Sequence, residues 1–175
     1  NATVERELPW KVVVTAAYVA RRGLHLQREV NINQPTIDAV LAAPAGTNLD
    51  SLRPYKGYNS IRMSNDSGRS MYNSGQFTLN RRFSGGLLIG ASYTLSKSMD
   101  DGSQPKDIIP NTYYARNLWG QSDFDVRHIF VMNYLYELPL FRNSGSRFLR
   151  TAFGGWQLNG ITQWQTGTPN SVIKN

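Results

Sequence analysis

With 175 residues, 40% hydrophobic and 18% charged, and no cysteine, the chain could form one ordinary domain but excludes a disulfide framework and a thiolate zinc site. No apolar run approaches the roughly 18 residues of a helical membrane span, whereas a mean hydropathy of -0.43 is compatible with membrane strands whose second face is polar. The formal charge of +7 is scattered over expected strand ends and turns, at Arg21, Arg22, Arg81, Arg82, Arg142, Arg147 and Arg150. It has no recognition helix, zinc-finger spacing or aromatic RNA-binding motif beside it, which argues against a nucleic-acid partner.

In chain order, residues 1 to 7 lack a basic and apolar leader and read as a fragment beginning in mid-strand. Residues 2 to 8 lead into the break Leu8-Pro9-Trp10, and a strand is expected over 11 to 22, where Val12, Val14, Ala16 and Tyr18 share a face. From 23 to 72 the pattern dissolves into Pro, Asn, Gly and Ser, a long loop with one helical turn at 39 to 43. A hairpin follows, with strands over 76 to 83 and 87 to 97 joined at Ser84-Gly85-Gly86. In its second strand Leu87, Ile89, Ala91, Tyr93 and Leu95 face one way. Gly90, Ser92, Thr94 and Ser96 face the other, with Leu88 as the apolar exception. Residues 98 to 123 read as a second long loop carrying Asp100-Asp101-Gly102, Pro105 and Pro110. A strand over 124 to 138 groups Phe130, Met132, Tyr134 and Tyr136 and stops at Pro139. After a turn of middling length, a strand over 156 to 166 sets Trp156, Leu158, Gly160, Thr162 and Trp164 against Gln157, Asn159, Gln163 and Gln165.

These periods describe an all-β, antiparallel transmembrane β-barrel segment of about six long strands, with short periplasmic turns and long extracellular loops. A membrane strand needs roughly 9 to 11 tilted residues, which 87 to 97 supply, whereas strands of soluble sandwiches run about 5 to 6. Short and long connections alternate, as they do in outer-membrane barrels. Trp10, Phe83, Tyr134, Tyr136 and Trp156 gather at the short-turn ends, where an interfacial girdle is expected. A competing soluble sandwich would bind carbohydrate through Trp119, Tyr113 and Tyr114.

No catalytic set emerges. His128 follows Asp123 and Asp125, but alternation puts both carboxylates on the Arg127 face, so the run reads as a structural motif opening a strand rather than a base or metal site. His25 stands in the first long loop with no acidic partner nearby, and no nucleophile elbow, phosphate loop or dinucleotide fingerprint occurs. No enzyme activity, metal or cofactor is expected. The lumen face supplies the candidate substrate contacts: Gln76, Thr78, Asn80 and Arg82 on one strand, and Gln157, Asn159, Gln163 and Gln165 on another.

The runs Val4 to Trp10, Leu79 to Leu87, Ala91 to Asp101, Ser122 to His128, Tyr136 to Pro139 and Gly155 to Leu158 resemble, in order and spacing, the C-terminal barrel of Oar-like TonB-dependent receptors. These Gram-negative outer-membrane transporters, abundant in acidobacteria, carry an N-terminal carboxypeptidase-regulatory-like domain. The resemblance spans residues 1 to about 170. It implies a 22-stranded barrel with an internal plug, a segment that engages TonB, and energised uptake, or export or surface display, of a substrate. The expected partners are therefore outer-membrane lipid, the rest of the barrel and its plug, TonB and an unknown substrate. No plug, TonB-engaging segment or regulatory-like domain is read in residues 1 to 175. Six strands also fall below the eight of the smallest membrane barrels, so the chain is expected to be a fragment of a longer barrel. The alternative is a structural or accessory outer-membrane subunit that packs its sheet against another membrane complex.

Overall fold

A computed structural model describes residues 1–104, 111–140, 145, 147–149 and 154–170. The strands are β1 (Ala2–Leu8), β2 (Val12–Asn31), β3 (Arg62–Ser84), β4 (Leu87–Asp100), the two-residue β5 (Gly120–Gln121), β6 (His128–Glu137) and β7 (Gln157–Gln165), and α1 is Ile37–Ala42. They form one sheet in the order β1-β2-β3-β4-β6-β7, with β5 pairing only β4. Six long strands thus follow one another in sequence order. No helix among the described residues is long and apolar enough to cross a membrane.

The described residues fall into two compact units, Asn1–Ala20 with Asn73–Lys97 and Val126–Thr168, and Arg21–Tyr72 with Ser98–Asp125 and Pro169–Asn175. In the first, here the wall unit, pairing fixes which side chains share a face. Val4 lies opposite Ala16, and Leu8 opposite Val12. Across β4, β6 and β7, Ile89 is beside Tyr134 and then Gly160, Ala91 beside Met132 and Thr162, and Tyr93 beside Phe130 and Trp164. Opposite residues in an antiparallel pair point the same way, so one face is apolar from β4 to β7. Ring contacts agree: Phe77 stacks on Tyr93 at 6.4 Å and Phe130 on Trp164 at 5.6 Å. Tyr134 also covers Gly160, with its hydroxyl 2.7 Å from where a β-carbon would stand.

The short turns have left-handed backbones. Gly85 and Gly86 have φ of 62° and 80°, the sign pattern of a two-residue hairpin turn whose twist matches its strands. At the first break Trp10 and Lys11 also have positive φ, 64° and 61°. Lys11 therefore belongs to the turn Pro9–Lys11 rather than to the following strand, because an extended residue cannot adopt that angle.

The second unit, the loop unit, corrects the sequence reading most. The expected loop over 23 to 72 is a loop only between Asn31 and Arg62, since β2 runs 20 residues and β3 runs 23. The added strand residues include Ser64, Asn65, Asp66, Ser67, Gly68 and Ser70, types depleted in strands or lacking apolar alternation, so periodicity had nothing to detect. Polar cross-links take its place: Gln27 Nε2 donates to Ser64 Oγ at 2.7 Å and Arg28 Nε to Ser67 Oγ at 2.8 Å. His25 accordingly sits inside β2, at a left-handed φ of 56°. The second loop is shorter at both ends, because β4 reaches Asp100 and β5 returns at Gly120. In the other direction β6 begins at His128, not at 124. Asp125 holds the preceding turn by accepting from Ser98 N–H at 2.6 Å, which keeps 124 to 127 out of the ladder.

Gly68 is buried in this unit, and a β-carbon there would stand 2.8 Å from the carbonyl oxygen of Leu26. Gly68→Ala must therefore move backbone, and overpacking of this kind costs about 1–3 kcal/mol. Faster amide exchange over 62–72 is the expected result; unchanged exchange would show that the strand yields without penalty.

Candidate functional site

The face opposite the aromatic one carries small and polar residues, some of them well covered. Ser74 is 2% and Ser96 6% exposed, whereas Trp164 on the apolar face is 66% exposed. A sheet that leaves large aromatic side chains exposed on one face and covers small polar ones on the other over β3 and β4 reverses the arrangement of a soluble protein and fits a wall between lipid and a wet interior. Two polar pairs lie on the apolar face: Tyr18 Oη donates to Asn73 Oδ1 at 2.8 Å, and Tyr93 Oη lies 2.8 Å from His128 Nδ1. His128 is thus held by a tyrosine on the apolar face. From Leu87 to Leu95 the strand rises roughly 27 Å at ~3.4 Å per residue, or about 20 Å of height at a ~40° tilt, close to the apolar band of such barrels.

The structure places most of the expected lumen residues on the polar face. Asn80 Oδ1 comes within 3.2 Å of where a β-carbon on Gly90 would stand, and Asn133 crowds the same point, so Asn80, Gly90 and Asn133 meet. Gln76 Nε2 donates to Ser74 Oγ at 3.3 Å. On β7, Gln163 Nε2 donates to Gln165 Oε1 at 3.0 Å, and Asn159 and Gln157 lie opposite Leu135 and Glu137. Arg82 is exposed near the hairpin end. These residues do not form one site. β4 and β6 separate the two rows, roughly 14 Å at ~4.8 Å per strand step.

The same face holds an apolar row that alternation on β6 alone did not expose. Leu88 pairs with Leu135, Ser92 with Val131 and Thr94 with Ile129, while Ile161, opposite Asn133, is 79% exposed. β6 is therefore apolar on both faces over much of its length.

In the loop unit the organising residues are polar and buried, and none was named as a candidate from the sequence. Asn33, 0% exposed, donates from Nδ2 to the carbonyls of Tyr55, Tyr58 and Asn59 at 2.7–3.0 Å. Its Oδ1 accepts from Tyr55 N–H at 2.8 Å, and its own carbonyl accepts from Arg53 Nη1 at 2.8 Å. Asn31 and Gln34 tie this loop to the second one. Thr112 Oγ1 donates to the Asn31 carbonyl at 3.0 Å, Thr112 N–H to Gln34 Oε1 at 2.9 Å, and Tyr113 Oη to the Gln34 carbonyl at 2.8 Å. The two long connections therefore lie together, as alternating antiparallel connections should. The Asn-Pro-rich stretch 31–35 was the only sequence signal, and it marks turns without naming their partners.

Ion pairs brace the strand ends. Asp101 accepts from Arg69 N–H through Oδ1 at 2.8 Å and from Arg69 Nε through Oδ2 at 3.3 Å, and Arg28 Nη1 stands 3.4 Å from the same Oδ2. The side chains of Asp101 and Arg28 are 4% and 9% exposed. Asp125 spends its second oxygen on Gln121 Nε2 at 2.6 Å, and Ser122 Oγ donates to Ser98 Oγ at 2.9 Å. Asp125 therefore acts as a backbone clamp, the structural role expected of that motif.

Asn33→Ala should free several buried carbonyls, each costing about 1–3 kcal/mol when left unsatisfied. Trypsin is expected to cut at Arg53 and Lys56 severalfold faster than in the wild type, with the wall unit intact. Equal cleavage rates would show that other contacts hold the loop.

This two-faced wall has a counterpart among known families. The model of the outer membrane beta barrel domain matches residues 1–175. The chain belongs to that family. Its place is accordingly the outer membrane, and the apolar face is the lipid face. No curated protein and no solved structure matched the chain.

Proposed function

We propose that this outer membrane β-barrel domain is part of the wall of an Oar-like TonB-dependent receptor, serving energised uptake of a substrate through a lumen occupied by a plug. The carrying observation is the inner apolar row, Leu88, Leu135, Val131, Ile129 and Ile161. In a merely water-filled channel Ile161, 79% exposed, and the uncovered parts of the other four would stay wet, whereas covering a fully exposed side chain of this kind contributes about 1.5–3 kcal/mol. An internal protein element is the natural cover. The motif runs 79–87, 91–101 and 122–128 support the same family reading. The described sheet also leaves β1 and β7 each with one neighbour, and bare strand edges facing lipid cost several kcal/mol per group, so further strands must pair there. The polar rows on β3 and β7 hydrate the passage and meet plug or solute. No catalytic step is part of this role, since Asp125 and His128 are committed to structural bonds.

The loop unit then faces outward and holds the recognition surface, because long loops on a rigid scaffold are where binding residues concentrate. Protease added to intact cells should nick near Arg53 or Lys56 and spare Arg147; Lys106 and Arg142, which belong to the same expectation, lie outside the described residues. The test of the receptor reading is the mass of the intact source polypeptide, with capture on immobilised TonB periplasmic domain. A polypeptide far above 19.7 kDa that TonB retains is expected. One near that mass, ignored by TonB and co-purifying with another membrane complex, would replace transport by the accessory-subunit role.

A further inference from the structure

The loop unit contains a pocket lined by Arg22, Arg69, Ser70, Met71 and Trp119, of which Arg69 alone takes part in the ion pairs that brace the strand ends. Its chemistry is specific. The Arg69 guanidinium lies 5.5 Å from the centre of the Trp119 ring and is anchored through Nε on Asp101, yet its side chain remains 46% exposed. One edge of the guanidinium is thus fixed and one face stacked, which orients it at little further entropic cost for an oxyanion. Arg22 adds a second, exposed cation. Met71 and Trp119 supply apolar wall beside the two charges. Two cations for an acid and a flat apolar flank for something less polar describe an amphiphile with an anionic head.

The position along the strands selects the amphiphile. Arg22 shares the even numbering of Val12, Val14, Ala16 and Tyr18, and Met71 and Arg69 the odd numbering of Phe77 and Leu79. In β2 the first residue with positive φ after Val12 is His25, so alternation is unbroken up to Arg22. Along β2 and β3 these residues therefore continue the numbering of the apolar series, which turns from apolar to charged at Arg22 and Arg69. Tryptophan and arginine at such a place are interfacial residues, and basic clusters near a bilayer surface recruit anionic headgroups.

We propose that the Arg22–Arg69–Trp119 pocket is a binding site for the phosphorylated headgroup of an outer-leaflet glycolipid. The guanidinium groups pair with phosphate, and Trp119 and Met71 lie against the sugar and the first acyl carbons. This inference rests on the outer-membrane location and on the outward-facing loops proposed above, and is independent of the transport reading. The site would fasten the wall to its own leaflet whatever passes through the lumen.

The test uses the intact protein extracted from outer membranes in nonionic detergent, freed of lipid, and titrated with bisphosphorylated lipid A, its fully dephosphorylated counterpart, or inorganic phosphate. Bound lipid is counted by native mass spectrometry. Saturable binding of the phosphorylated form is expected, with Arg22→Glu weakening it roughly tenfold, since each basic residue near an anionic surface is worth about fivefold and reversal also repels. Trp119→Leu should weaken it with the charges untouched. Heat-modifiable migration monitors folding; should either variant fail it, Arg22→Gln and the three-ligand comparison on the wild type carry the test. Equal binding of the dephosphorylated lipid, saturation by inorganic phosphate alone at the same concentrations, or wild-type affinity in folded Arg22→Glu would each overturn the proposal.

Discussion

Ile89→Arg is expected to block assembly into the outer membrane, while Ser92→Arg, three residues away, leaves heat-modifiable barrel formation nearly intact. Ile89 stands beside Tyr134 on the apolar face, whereas Ser92 stands beside Val131 on the opposite one. A guanidinium on the lipid face costs roughly 2–4 kcal/mol near the bilayer midplane and close to nothing near the interface, while a wet lumen solvates it. Depth adds an internal check. Ile89 is only three residues into β4, so Ala91→Arg, deeper along the same face, should be worse than Ile89→Arg. Equal effects of the three substitutions would mean that the faces are not segregated between lipid and lumen.

The largest effect in the loop unit is expected from Asp101→Ala. Asp101 is the shared acceptor for Arg28 and Arg69, and removing it leaves the nearly buried Arg28 charge without its counter-ion. Breaking a buried ion pair by deleting one partner costs about 3–5 kcal/mol, mostly as the penalty of the stranded charge. The Arg69 backbone N–H also loses its side-chain acceptor. Loss of amide protection over 62–72 and 98–101 is therefore expected, with little change at Leu87 to Tyr93. Arg28→Met in the Asp101→Ala background should recover part of the loss, because it removes the charge that was left alone. Failure of that rescue, or uniform loss of protection along β4, would show that Asp101 serves something other than the Arg28 and Arg69 pairing.

How much of this was legible in the sequence depended on which force holds each element. The hairpin of β3 and β4 and the apolar series Ile89, Ala91 and Tyr93 were readable because lipid contact imposes a period of two on side-chain hydrophobicity. The extensions of β2 to Asn31 and of β3 back to Arg62 were not. There the ladder is held by backbone pairing and by links such as Gln27 to Ser64 and Arg28 to Ser67, which impose no hydropathy period. Asn33 was invisible for a related reason: its partners are backbone carbonyls 22 to 26 residues away, and one buried asparagine looks like any loop asparagine in a sequence. The polar rows on β3 and β7 were each readable as one face of a single strand. Their separation by β4 and β6 needed the topology, as did the recognition that Ile129, Val131 and Leu135 line the inner face.

The assignment of lipid and lumen faces bears the whole account, and the absence of cysteine makes it directly measurable. Single cysteines at each position from 88 to 95, spin-labelled in the assembled outer-membrane protein, would be read for relaxation by oxygen, which concentrates in lipid, and by a water-soluble nickel complex. Oxygen should dominate at 89, 91, 93 and 95, and nickel at 90, 92 and 94, with Leu88 the most shielded from both under the proposed plug. Accessibility that does not alternate, or that alternates with nickel favoured at 89, 91 and 93, would contradict the account.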